Sequence, residues 1–389
     1  MPNRRSFLAS AAALAAASAA TKTAARADSH HPARLSTALA LSGGGARGAY
    51  QAGIIDYLRL SANVPDGAPL APYGLIAGTS IGALNGYFVA TGQYGLLRDL
   101  WYTIADQHVI QLKARYAKVT NDDSGVGTRF VAAMRAVLSL TSNDTGVIDG
   151  AHLRAWLARF IDPARPVVTP FIWTVTNLTN QSPEFFYLVP ATPTAQLREA
   201  AVAAVRITVG PNAVLREATP DLLIDALQAS TAIPVAFDPI ELPAPKGEGV
   251  NLYVDGGVTA NTPVAAARAA ATRVDVVLLD PPLQATHYHN ALEVGIGTFG
   301  AMQRRILEAD MRAAYLESLG KRAIGELNSP QESLLASVLY ESDIFRMQPQ
   351  DELPVGVVGF DDRENIYTTF KIGFEDARRG FFAYRYGQD

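Results

Sequence analysis

Two stretches of the chain leave it little choice of architecture: "LALSGGGARGAYQAG", residues 39–53, and "LIAGTSIGALNG", residues 75–86. In each, a short apolar run breaks at small residues and resumes with helical spacing. An apolar run bounded by glycine is too short for a core helix and reads as a buried strand. After the first run, Ile54, Ile55 and Leu58 recur at helical intervals, and small Ala52 and Gly53 would let that helix lie close to a sheet. Two strand-to-helix units in succession predict an α/β fold with parallel strands and helices on the faces of the sheet.

The rest of the chain extends that pattern. "TPFIWTVTNL" and "PEFFYLV", separated by "TNQS", are rich in β-branched and aromatic residues and read as a paired strand unit. "REAAVAAVRI" and "PDLLIDALQAS" are helical, "LYVDGGV" is a strand ending in a tight turn, and "RVDVVLLD" is another buried strand. Residues 96–160 read as mostly helical, with polar interruptions at "TNDDSGVGT" and "TSNDTGVIDG", an insertion near the site and a candidate lid. Residues 289–339 read as long amphipathic helix punctuated by glycine. No Pro/Gly/Ser-rich linker divides residues 28–389, so one domain is expected there.

Residues 1–27 have a different character. "MPNRRSFLAS" sets Arg4 and Arg5 before an Ala-rich apolar run, and "AARA" closes it with an A-x-A-like pattern at Ala25 and Ala27. This is the form of a twin-arginine signal, with a general secretory signal or an ordinary Ala-rich amphipathic helix as the alternatives; the signal implies engagement of the export machinery and a periplasmic or secreted protein. Its removal takes away Arg4, Arg5, Lys22 and Arg26, leaving 29 of the 33 basic residues against 37 acidic ones, a net charge of −8. Such a chain is no general binder of nucleic acid. The absence of cysteine excludes disulfides and thiolate metal sites. Beyond the signal no apolar run reaches 18 residues, so any membrane contact would be peripheral.

Gly43, Gly45 and Gly48 have the G-x-G-x-x-G spacing of a dinucleotide loop. That reading requires an acidic residue about twenty positions on, at the end of the second strand. Asp66 meets the count but falls in the turn "VPDG", ahead of the strand. The strand ends instead in "AGTSIGA", where Gly78, Ser80 and Gly82 form G-x-S-x-G across a strand-to-helix junction. In that setting the pattern reads as a nucleophile elbow, although Ser80 alone could equally be a helix cap.

Small residues at 78 and 82 avoid collision, and the helix N-terminus favours negative charge near the hydroxyl. Gly43, Gly44 and Gly45 then acquire an electrostatic use. Their backbone amides could hold the oxyanion formed when a serine attacks an acyl carbonyl, each such donor contributing on the order of 3 kcal/mol. Arg47 reads as an anchor of that loop through a carboxylate, with added positive potential as the alternative.

A serine nucleophile needs a base. His30, His31, His108, His152, His287 and His289 occupy no motif-like setting. A Ser80, Asp255, His287 or His289 triad would keep an α/β-hydrolase order, and H-x-H has no further metal-ligand pattern around it. Asp255 in "LYVDGGVTANTP" is the better candidate. It ends an apolar strand, and Gly256 and Gly257 free the backbone to aim its carboxylate at a neighbouring strand end, unless it serves only an Asx turn.

Taken in order, "SGGGARGAYQAG", "GTSIGALNG", "ASTAIPVAF" and "VDGGVTANTP" resemble the patatin-like phospholipase family, in its bacterial, exported form. The resemblance spans Leu39 to Pro263, with weaker likeness at "VDVVLLD" and "TTFKIGFEDARRGF". It implies a three-layer α/β/α fold with a mostly parallel central sheet. It also implies hydrolysis of fatty-acyl esters, of phospholipase A or lysophospholipase type, by a Ser-Asp dyad through an acyl-enzyme. Ser80 would be the nucleophile, Asp255 the general base, and Gly43, Gly44 and Gly45 the oxyanion hole. Arg47, Gly48, Gly78, Gly82, Gly256 and Gly257 would support them. The substrate would be a lipid or other acyl ester, with no cofactor, metal or histidine required. Ser42 stands where plant members often carry aspartate. The competing readings are an α/β-hydrolase with a Ser-Asp-His triad and a dinucleotide-binding protein.

Overall fold

A computed structural model describes residues 35–117, 145–191, 214–245, 249–281, 291–325 and 343–380, together with 202, 247, 384 and 385. The two strand-to-helix units form as the periodicity requires. Strand β1 (Leu35–Leu41) passes through a 3-10 turn at Gly45–Arg47 into helix α1 (Gly48–Ser61). Strand β2 (Tyr73–Thr79) runs into α2 (Ile81–Ala90), followed by α3 (Tyr94–Thr103) and α4 (Gly150–Phe160). Then come β3 (Phe171–Asn177), β4 (Ser182–Leu188), β5 (Val214–Glu217), α5 (Leu223–Ser230), β6 (Ile240–Pro243) and β7 (Val250–Asp255). The chain continues through α6 (Val264–Ala270), β8 (Ala271–Val277), α7 (Ala291–Gly325), β9 (Asp343–Met347), α8 (Arg363–Arg379) and β10 (Tyr384–Arg385).

These strands make one ten-stranded sheet, ordered β10-β9-β8-β1-β2-β3-β4-β5, with β7 on β3 and β6 on β7. Its centre is parallel: β1 pairs with β2 and β8, β2 with β3, and β8 with β9. Antiparallel pairs join β3 to β4 and β7, β6 to β7, and β9 to β10. Alternation along the buried strands splits the core into two faces. Leu39, Leu41, Ile76 and Trp173 face one helical layer with Tyr50, Leu97, Leu153 and Phe370. Ala38, Ala40, Leu75 and Ile172 face the other, with Val264, Ala267 and Met311. The result is the expected three-layer α/β/α arrangement with a mostly parallel sheet.

Two expectations change in detail. Gly53 does not bring α1 onto the sheet; it faces α8, where a β-carbon would strike the carbonyl of Phe370, while one on Gly373 would strike that of Tyr50. The glycines therefore let two helices, far apart in sequence, approach backbone to backbone. The glycines at 295, 297, 300 and 320 do not punctuate α7, which runs 35 residues without a break. The leader, "TNDDSGVGT", "REAAVAAVRI" except its Val202, and the segments 282–290 and 326–342 lie outside the described residues.

Within the interval 96–160, α3 and α4 are helical as read, and residues 118–144 lie outside the description. Asp238 binds a residue on each side of that segment, Lys113 Nζ at 2.7 Å and Thr145 Oγ1 at 2.7 Å. Among the described residues no helix is long and apolar enough to cross a membrane.

Candidate active site

The chemistry-bearing residues gather where the central parallel strands end. Ser80, between β2 and α2, holds φ 55° and ψ −125°, a conformation that costs a non-glycine residue on the order of 1–3 kcal/mol. It persists because its surroundings leave no alternative. A β-carbon on Gly78 would meet the Gly82 carbonyl, and one on Gly82 would meet the Leu41 carbonyl, so strand, turn and helix close to backbone contact. The Ser80 amide donates to Ser230 Oγ at 3.0 Å, and Ser230 Oγ donates onward to the Thr174 carbonyl at 2.7 Å. Ser80 caps nothing with its side chain. Its Oγ donates instead to Asp255 Oδ2 at 2.6 Å.

Asp255 reaches that position because β7 crosses antiparallel to the far end of β3, placing Asp255 opposite Val175. Its amide donates to the Ala232 carbonyl and its carbonyl accepts from Thr176 Oγ1, so the backbone is fixed on both sides. Gly256 and Gly257 follow, and the Gly257 amide donates to Asp255 Oδ1 at 2.7 Å. Asp255 is 5% exposed. Burial pushes its carboxyl up to about 7, against the opposing pull of the Ser80 hydroxyl and the Gly257 amide. A carboxylate with that affinity for protons is matched to taking one from a hydroxyl near neutrality.

The glycine loop lies alongside. A β-carbon on Gly43 would come 3.1 Å from Ser80 Cβ, and Gly45 lines the same pocket as Ser80. The three glycine amides are not equivalent. That of Gly43 donates to the Asn261 carbonyl at 2.9 Å, whereas among the described residues nothing accepts from Gly44 or Gly45. Gly45 holds φ +59° against the backbone of Val357, whose carbonyl accepts from Ala46 at 2.9 Å. Arg47 anchors the loop to Asp280 at 2.6 Å and Glu352 at 3.6 Å, and Gly48 opens α1 against Ile81 and Trp101.

An almost wholly apolar pocket opens at Ser80 and Gly45 and runs between Leu84, Phe88, Trp101, Trp156 and Phe237.

The residues of the competing sets lie elsewhere or outside the described residues. Asp66 Oδ1 accepts from the Gly95 amide at the start of α3, away from the end of β2. His152 bonds the His108 carbonyl, while His30, His31, His287 and His289 lie outside the described residues. Among the described residues no histidine touches the Ser80–Asp255 pair, and no cluster of three or more His, Asp or Glu is placed to hold a metal. The structure adds Ser230, Asn261 and the 357 loop, none assigned a role from sequence. Ser230 had a signal, one of two adjacent hydroxyls in the "ASTAIP" stretch; Val357 had none.

Against known proteins, residues 39–268 match the family described as Patatin-like phospholipase. No curated protein matches the chain. Among solved structures, VipD from Legionella pneumophila is similar at 14% identity and a TM-score of 0.35, over 89% of this chain and 66% of that one.

Proposed function

The chain belongs to the patatin-like phospholipase family, and from that premise we propose that it hydrolyses fatty-acyl esters of phospholipids or lysophospholipids through a Ser80–Asp255 dyad. Membership itself supports lipid acyl hydrolysis. The observation that carries the finer reading is the 2.6 Å hydrogen bond from Ser80 to a buried Asp255, at the mouth of an apolar pocket.

In this mechanism Asp255 takes the Ser80 proton as Oγ adds to the ester carbonyl carbon. The carbonyl π pair moves to oxygen, and the amides of Gly44 and Gly45 stabilise that oxyanion in place. Collapse breaks the ester C–O bond, and the departing alcohol takes the proton from Asp255. Water then adds to the acyl carbon as Asp255 takes its proton; collapse breaks the bond between Ser80 Oγ and the acyl carbon, Oγ recovers the proton from Asp255, and the fatty acid leaves. The amide of Gly43 takes no part because it is already bonded to Asn261.

The test is hydrolysis of p-nitrophenyl esters of increasing acyl length beside a phospholipid and a lysophospholipid. Each methylene entering the pocket transfers about 0.8 kcal/mol. The expected result is a rise in kcat/KM of up to about fourfold per methylene until the pocket is filled. A preference for acetyl over long acyl esters, or no hydrolysis at all, would count against this reading.

A pH profile follows from the same geometry. The base must be ionised, so kcat/KM is expected to be level above pH about 7 and to fall towards tenfold per unit below it. Full activity at pH 5 in a pH–rate measurement would remove Asp255 from the role of base.

A further inference from the structure

Buried behind the glycine loop, Trp101, Asn85 and Gln51 form one continuous chain of hydrogen bonds. Trp101 Nε1 donates to Asn85 Oδ1 at 3.0 Å, and Asn85 Nδ2 donates to Gln51 Oε1 at 3.0 Å. Gln51 Nε2 then donates to the Ser42 carbonyl at 2.8 Å. Asn85 Nδ2 also reaches the Gly48 carbonyl at 3.0 Å, so the chain touches the loop at both ends. Gln51 is fully buried and Asn85 is 2% exposed.

From these contacts we propose that Gln51 and Asn85 are positioning residues for ester hydrolysis, holding the glycine loop in its oxyanion-binding form with a polarity set by Trp101. The proposal rests on the hydrolase reading above. An indole N–H only donates, whereas either amide side chain could in principle be turned around. With the donor fixed at Trp101, Asn85 must present its oxygen there and its nitrogen to Gln51. Gln51 must then present its nitrogen to Ser42.

The end of the relay is what gives it a catalytic consequence. Ser42 and Gly43 share one peptide plane. Its carbonyl is held by Gln51, and its N–H is held by the Asn261 carbonyl. A peptide gripped at both polar groups cannot rotate without breaking two buried hydrogen bonds. The next two amides along the chain, those of Gly44 and Gly45, are the ones left without an acceptor among the described residues. Their direction is inherited from the clamped plane. Without Gln51, the glycine-rich segment regains the backbone freedom its composition permits. The oxyanion must then order its own donors.

Trp101 links this device to the substrate. Its ring forms a wall of the apolar pocket, while its N–H starts the relay. The ring stacks on Phe360, just beyond the segment that contacts Gly45.

The experiment compares wild type, Gln51→Leu and Trp101→Phe in steady-state hydrolysis of a long-chain p-nitrophenyl ester. It also measures binding of two probes. A long-chain alkyl trifluoromethyl ketone takes up Ser80 to give an oxyanion; dodecanol fills the pocket without one.

Misplacement of the donors should lower kcat by roughly 10- to 100-fold in Gln51→Leu, with KM changed less than about threefold. Ketone affinity should fall with kcat/KM while dodecanol affinity stays level. Trp101→Phe, which also alters a wall of the pocket, should lower ketone affinity more than dodecanol affinity, and that difference carries the test if Gln51→Leu does not fold. Folded Gln51→Leu with kcat within twofold of wild type overturns the proposal, as does an equal loss of affinity for both probes. A wild-type chain that hydrolyses no ester overturns the hydrolase reading, and the relay's catalytic role falls with it.

Discussion

Ser80→Ala is expected to lower ester hydrolysis by a factor on the order of 10⁴ to 10⁶ and to leave the chain folded. The size follows from what the side chain supplies. Ser80 Oγ is the nucleophile, and the remaining donors of the glycine loop have no tetrahedral oxyanion to stabilise until an oxygen adds. The fold should survive because Ser80 N–H, not its hydroxyl, carries the bond to Ser230 that ties the elbow to β3 and α5. Alanine retains the unfavourable φ of 55°, so the change relieves no backbone strain. It removes one hydrogen bond from Asp255, which remains bonded to the Gly257 amide.

The measurement is kcat/KM on a long-chain p-nitrophenyl ester, with mass spectrometry of the wild-type chain after a fluorophosphonate probe to locate the adduct on residue 80. Undiminished activity in Ser80→Ala ends the serine-nucleophile reading. His287→Ala and His289→Ala belong in the same assay. A dyad expects both to stay within a few-fold of wild type, whereas a Ser-Asp-His triad expects one of them to match the serine variant.

The elbow was legible in the sequence because its requirements are local. Gly78, Ser80 and Gly82 need only each other, the end of one strand and the start of one helix, and G-x-S-x-G records all of these within five positions. Asp255 was legible for a similar reason, as a carboxylate at the end of an apolar strand followed by two glycines. The family pattern supplied its pairing with Ser80.

The distribution of work within the glycine loop was not legible. Which amides stay open depends on Asn261, Gln51 and Val357, whose arrival at the loop is set by chain crossings up to hundreds of residues long. The same limit explains Gly53, which reads locally as a close approach but does not name its partner, α8. Strands β5, β6, β9 and β10 are short or peripheral, with little period-2 signal to separate them from loops.

Asp255→Asn should also abolish turnover, and it should make the protein more stable above neutral pH. The free carboxyl titrates near 3.8 when exposed, whereas burial in the folded chain moves it to about 7. Below pH about 4 both states hold the proton, and the side chain's contribution is fully present. As pH rises towards 7 the unfolded chain gives up its proton while the folded chain keeps one, so stability is lost through that window; above 7 the loss is complete.

A rise of about three units corresponds to a ceiling of about 4 kcal/mol. Asparagine is neutral throughout and keeps the local bonding, with Nδ2 able to donate to Ser80 Oγ and Oδ1 able to accept from Gly257. Guanidinium unfolding of both proteins at pH 5 and pH 8 should therefore show the variant ahead at pH 8 by up to a few kcal/mol, with a smaller gap at pH 5. Equal stability at pH 8 would mean that the carboxylate is better solvated than its burial implies, and the same result would weaken its assignment as a base tuned by desolvation. An inactive but stabilised variant would identify Asp255 as a group whose buried charge destabilises the fold at the pH where Ser80 needs it.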